Sequence, residues 1–217
     1  MANREHLSQL HMGRDRWNTW RIESPLVQPD LSVTCLASVD LGGYNLNHAN
    51  LIGTNLQAAN LKQVDLSGAN LRGTNLRQAN LQAADLSGGQ LHRSSLSEAN
   101  LRGANLIDAD CTGANFHNAE LLEAYLFRSN LSQANLHEAY LNGAYLFRAN
   151  LSDAYFVEAH LRCANLRQTN CYKTNFDRAI LRGASFEGAN LQDASFEGAI
   201  LSEESNYSGH GLQILAG

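Results

Sequence analysis

From Leu31 to Leu201 every fifth residue is large and apolar, without a single insertion or deletion. Thirty-five such positions follow one another, filled by twenty-eight Leu, five Phe and two Cys. A second register runs beside the first. Two residues before each apolar position stands a small one, Ala at 23 of the 34 places between Thr34 and Ala199. Five is neither the helical period nor the strand period. A repeat this strict specifies one structural unit added many times, and such units bury their apolar side only by stacking on neighbours. At 217 residues the chain is long enough for one or two ordinary domains. The unbroken count decides for one repeat body.

A longer period lies inside the shorter. Ala124-Tyr125-Leu126-Phe127-Arg128 recurs as Ala144-Tyr145-Leu146-Phe147-Arg148, twenty residues later. Sides of five residues and coils of twenty give each residue a stacked neighbour twenty positions away. Coils should lie ~4.8 Å apart, and nearly nine of them make a shaft roughly 40 Å long. The large residue and the small one point inward, because a narrow tube has no room for two large side chains per side. Val39, Tyr44 and Val64 break the small-residue rule near the N-terminal end, where the tube is expected to be wider or irregular. The other three places of each unit face water. Gly recurs at the second place after the central residue, as in Gly53, Gly68, Gly73, Gly103 and Gly113. That place is predicted to be a corner, where a type II turn requires φ > 0. Asn or Asp before the central residue is placed to bond local backbone.

The motif Ala-(Asn/Asp)-Leu-x-x, as in Ala69-Asn70-Leu71-Arg72-Gly73 and Ala104-Asn105-Leu106-Ile107-Asp108, resembles the pentapeptide repeat family. The match covers about four-fifths of the chain. The resemblance implies an all-β solenoid, a right-handed quadrilateral β-helix with four pentapeptides per coil. Trp-Asn-x-Trp-Arg at 17–21 is similar to the leaders of some cyanobacterial members.

The chain divides into a helical leader over 1–24, the repeat over 25–203 and a tail over 204–217. Leu7, Leu10, Trp17 and Trp20 share one face of a predicted α-helix that Asn3 caps, Ser24-Pro25 ends and Gly13 kinks or splits. That face reads as a cap over the open N-terminal coil, since a bare solenoid end exposes apolar side chains and unpaired backbone. A lipid- or partner-binding helix is the competing reading. Residues 25–35 are expected to link the leader to the first coil. Phe156, Phe176 and Phe196 should stack inside one wall. In the tail, Leu212, Ile214 and Leu215 could fold over the last coil, near outward Ile180 and Ile200, or pair with a second copy. Some family members dimerise through their C-terminal ends, so monomer and end-to-end homodimer both stay open.

Net charge is −5, and between Leu31 and Glu203 sixteen acidic residues mix with twelve basic ones. This balance is solubilising and contains no polybasic stripe, which argues against direct nucleic-acid binding. Thr34, Thr54 and Thr74 point inward, which argues against an ice-binding face. Four cysteines show no metal or disulfide spacing. Cys111 and Cys171 sit at inward positions, Cys35 and Cys163 outward. Free thiols, a polar opening segment and the lack of an apolar run of transmembrane length point to a cytoplasmic protein without membrane contact.

Stacking by twenty makes one outward grouping. Ile107, Phe127 and Phe147 form a column, Tyr125 and Tyr145 a second, Arg128 and Arg148 a third, with Leu122 and Tyr140 on the preceding side. Aromatics with Arg are typical of interface centres, and a grouped apolar patch on a soluble protein needs a reason. A protein partner is one reason, and plain stabilisation by cross-strand stacking is the other. His117 and His137 also stack, with Glu138 beside them. Two imidazoles without a firm third ligand read as solvated residues, so no metal or cofactor is expected. The Asn130, Asn150, Asn170 and Asn190 ladder reads as structural. No catalytic elbow, phosphate loop or zinc signature appears, and a filled tube offers no deep pocket. The chain therefore reads as a non-catalytic interaction module. The alternative is a DNA mimic, since some members of the resembled family bind DNA gyrase and protect it from quinolones. Arg72, Arg77, Arg102, Arg162, Arg167 and Arg182 interrupt the acidic columns a mimic needs.

Overall fold

The computed structural model describes residues 2–201. Two short helices, α1 (Arg4–His11) and α2 (Arg14–Glu23), precede a parallel ladder. Every rung joins a residue to the one twenty positions on, from Asp30–Asn50 to Ile180–Ile200. The chain winds as a right-handed square β-helix of nearly nine coils. The expected 25–35 linker is shorter than the sequence suggested, because Asp30 already pairs with Asn50 and Leu31 is fully buried.

Each side consists of one ladder residue and one tight turn. At Tyr125-Leu126-Phe127-Arg128-Ser129, Leu126 N–H bonds Tyr145 O at 2.8 Å and Arg128 N–H bonds Phe147 O at 3.1 Å. Ser129 N–H then closes the turn on Leu126 O at 3.2 Å. The third turn residue has positive φ on every side of the shaft where it is Gly, and also at twenty-three non-glycine residues among those described, such as Arg128 and Arg148. The corner geometry is therefore imposed by the coil, and glycine is a convenience there. A left-handed residue other than Gly costs about 1–2 kcal/mol in isolation. The two inter-coil hydrogen bonds flanking each turn and the buried Leu beneath it offset that cost.

The Leu, Phe and Cys of the first register and the small residues of the second fill the tube. Thr and Ser are tolerated there because the hydroxyl finds a carbonyl: Thr54 Oγ1 donates to Leu31 O at 2.8 Å and Ser129 Oγ to Leu126 O at 2.9 Å. Phe156, Phe176 and Phe196 stack at 5.1 Å centroid spacing, and Phe186 meets Phe176 and Phe196 edge-on. Outside, Asn150, Asn170 and Asn190 each donate an amide hydrogen to the Asn one coil earlier, at 3.0–3.1 Å. Their Oδ1 atoms accept the N–H two residues on, as at Ser152 and Tyr172.

The leader forms two helices because Gly13 stands between them at φ +92. Asn3 caps α1 by accepting from the Glu5 and His6 amides. Trp17 is wholly buried and Leu10 nearly so, with Leu7 and Trp20 packed partly against the same core. Two further side chains finish the open edge of the first coil. Asn18 Oδ1 accepts from Asn45 N at 2.8 Å while its amide donates to Gly43 O at 3.0 Å, imitating the missing coil. Arg21 is buried and donates to Val27 O, Asn47 O and Asn47 Oδ1. Burial lowers the Arg21 pKa, and Asp65 opposes that.

Ile180 is half-buried and Ile200 exposed at the other end. The tail over 204–217, its Leu212, Ile214 and Leu215, and the end-to-end dimer they suggested lie outside the described residues. Among the described residues no helix is long and apolar enough to cross a membrane.

Candidate partner-binding face

The strict coil brings the sequence-predicted columns together on adjoining sides of the shaft. Tyr125 and Tyr145 pair in the ladder. Because ladder residues alternate with buried ones, both rings stand outward, 46% and 47% exposed. They stack 5.2 Å apart and 5° from parallel. Tyr140, also exposed, leans on His160 at 4.8 Å on the preceding side. Leu122 is half-buried at the corner between those sides, and Ile107 is half-buried at the next corner, in the column of Phe127 and Phe147.

Phe127 and Phe147 stack at 5.7 Å as the spacing predicts, but they are half-buried rather than fully exposed. The next residue of each turn covers them. The Arg128 guanidinium carbon lies 4.7 Å from the Phe127 centroid, and that of Arg148 lies 5.1 Å from Phe147. Both guanidinium groups are held in place. Arg128 forks onto Asp108 of the previous coil, with Nε 2.7 Å from Oδ1. Arg148 Nε donates to Gln168 Oε1 of the next coil at 2.8 Å. The Arg128 hydrogen bond holds the Asp108 carboxyl below its usual range, and Asp108 raises Arg128 in return. The face thus presents open phenol rings flanked by two oriented guanidinium groups. It offers stacking area and planar donors while few rotamers remain to be frozen.

Tyr155, at 55% exposure, escaped the sequence reading. It occupies the same ladder register as Tyr125 but on the opposite side, where it borders a groove with Gln133, Asn135, His137 and Val157. Only the phase of twenty separates it from the other tyrosines, so it adds nothing to this face. His117, His137 and Glu138 bring one ligand atom each within 4.8 Å of one another and are the cluster among the described residues that could hold a metal.

A square parallel β-helix of five-residue sides, filled by Leu and Ala, defines a pentapeptide-repeat solenoid. The chain belongs to that family: the model described as pentapeptide repeats (8 copies) matches residues 34–73, 59–97, 94–133, 124–162, 134–170 and 164–203. Among solved structures it is similar to HetL, a pentapeptide repeat protein involved in heterocyst differentiation regulation from the cyanobacterium Nostoc sp. strain PCC 7120. The identity is 31%, over 84% of this chain and 91% of HetL, with a TM-score of 0.69. A second match is Rfr23 from the cyanobacterium Cyanothece 51142, at 28% identity over 66% and 91% of the two chains and a TM-score of 0.30. A third is full-length QnrB1, a plasmid-mediated fluoroquinolone resistance protein, at 16% identity over 80% and 94% and a TM-score of 0.47. No curated protein matches.

Proposed function

We propose that this protein is a non-catalytic, rigid interaction module that docks a protein partner on the face around Tyr125 and Tyr145. The observation that carries this reading is the pair of open, parallel tyrosines beside two anchored arginines. A stabilising ladder alone would be served by half-buried rings, as Phe127 and Phe147 are. Aromatic rings with Arg are the composition that dominates binding energy at interfaces. The similarity to HetL, which is involved in heterocyst differentiation regulation, supports a regulatory rather than enzymatic role. Solvent-exposed Arg72, Arg77, Arg102, Arg162, Arg167 and Arg182 speak against gyrase binding by DNA mimicry.

The test is affinity capture from a cyanobacterial extract with wild type and with Tyr125→Asp plus Tyr145→Asp. Both side chains are exposed, so the double variant keeps its fold, with a circular dichroism melt lowered only by the lost stack and the paired charges. At least one captured protein should disappear with the variant. An unchanged set removes this face as the docking surface. In parallel, inhibition of gyrase supercoiling by wild type would favour the mimic instead.

A further inference from the structure

We propose that His117, His137 and Glu138 form a surface site for one late first-row divalent cation, with Zn²⁺ as the type. The two histidines occupy the same turn position in successive coils, and Glu138 is the next residue of the turn. Their rings stack 5.2 Å apart and 12° from parallel. His117 Nδ1 lies 3.0 Å from His137 O, and His137 Nδ1 lies 2.8 Å from Val157 O. A carbonyl oxygen only accepts, so each Nδ1 carries a hydrogen and donates it. The lone pair of each neutral ring is thereby placed on Nε2. Anchoring an imidazole through its other N–H to a backbone carbonyl is how metal-ligating histidines are oriented. Asn118 matches the same tautomer, with Nδ2 3.3 Å from His117 Nε2.

Glu138 supplies the third donor, its Oε1 3.5 Å from His137 Nε2. A ring lone pair and a carboxylate oxygen at that separation repel unless a proton or a metal ion stands between them. One ring nitrogen of each histidine and a Glu138 carboxylate oxygen lie within 4.8 Å of one another. Tetrahedral bonds of ~2.0–2.1 Å bring ligand pairs to about 3.3 Å, a closure of roughly 1.5 Å at most. All three side chains are half-buried on a turn, where torsion of the rings and of the glutamate closes that gap. Two imidazoles with one carboxylate suit Zn²⁺, Ni²⁺ or Cu²⁺, whereas Mg²⁺ and Ca²⁺ prefer oxygen alone. Two further carboxylates flank the cluster, Glu98 held by Gln78 and Arg77 and Glu158 paired with Arg178. The fourth position opens to water or to a ligand from elsewhere. This corner lies between the side of Tyr155 and the side of Tyr140, and none of its three ligands belongs to the Tyr125–Tyr145 pair, so the two proposals stand separately.

The full chain, with Cys35→Ser and Cys163→Ser to remove exposed thiols, is stripped with chelator and titrated with ZnCl₂ in a calorimeter. Co²⁺ is then used as a visible-absorption probe of coordination number. One equivalent should bind, with the absorption of four-coordinate Co²⁺. His117→Gln and His137→Gln should each weaken binding by about tenfold or more, while His160→Gln changes nothing. Glu138→Gln alters the donor and not the packing, so its weakened binding decides the matter even where a histidine variant lowers the metal-free melting temperature. The proposal is overturned if the unsubstituted site binds no metal. It is equally overturned if Glu138→Gln and both histidine variants bind as the parent does.

Discussion

A thiol at a leucine position is kept from water and from its own ionisation. Burial pushes the Cys171 thiol up to about 12, against the smaller effect of hydrogen bonds with Thr169 and Thr174. Cys111 is raised as well, by burial and then by Asp110. In the native protein a thiol reagent should therefore modify Cys35 and Cys163, both exposed, and reach Cys111 and Cys171 only on unfolding. The pH dependence follows in sign. Unfolding frees both buried thiols to ionise near pH ~8.5, so their contribution is complete below that pH and lost as the pH climbs toward the folded values. From pH ~8.5 to ~10.5, denaturant titrations should show stability falling less steeply in Cys171→Ala than in wild type, by up to about 1.4 kcal/mol per pH unit. Equal slopes would contradict this. The corner glycines differ in a second measurable way. Gly73 has φ +61 and open space around a notional Cβ, while at Gly68 that atom would sit 2.5 Å from His48 Nδ1. Gly73→Ala should cost about 1–2 kcal/mol, the intrinsic left-handed penalty. Gly68→Ala should cost more, because the imidazole must also move, and thermal melts of the two variants would show the difference.

At the scale of the element, the helical cap is the part whose removal has the most local effect. Solenoids are stabilised by nearest neighbours, so damage at one end propagates only a few coils. Trp17 donates its indole N–H to Asn45 O at 2.6 Å and is fully enclosed. Trp17→Ala should destabilise the first coil by about 3–5 kcal/mol. Hydrogen exchange would then show faster amides at Leu46 and Leu51 and unchanged ones at Leu131 and Leu136. Uniform acceleration along the shaft would contradict the account. The apolar face of this cap was legible from the spacing of Leu7, Leu10, Trp17 and Trp20. Asn18 and Arg21 were not, although they satisfy the backbone edge, because no local pattern says which carbonyls and amides an open coil leaves unpaired. The Phe127 and Phe147 column was legible in position and misjudged in exposure. Its cover comes from Arg128 and Arg148, whose direction depends on Asp108 and Gln168 one coil away.

For the whole molecule, register was readable because one slip anywhere would carry every Leu out of the tube, and none occurs in thirty-five units. The four-sided coil was implied by the resemblance to pentapeptide repeats and supported by a single twenty-residue echo. That phase decides the function proposed: it gathers Tyr125, Tyr140 and Tyr145 on adjoining sides, sends Tyr155 to the side opposite Tyr125, and puts the His117–His137 pair on the corner between Tyr155 and Tyr140. It is tested most directly by oxidative cross-linking in the Cys35→Ser, Cys163→Ser background. Phe127→Cys with Phe147→Cys places two Cα atoms one ladder spacing apart, ~4.8 Å, inside the roughly 4.4–6.8 Å Cα separation that a disulfide spans. Phe127→Cys with His137→Cys places them on opposite corners of the shaft. The first pair should close an intramolecular disulfide without unfolding and the second should stay reduced. A disulfide in the second pair, or none in the first, would contradict the twenty-residue coil.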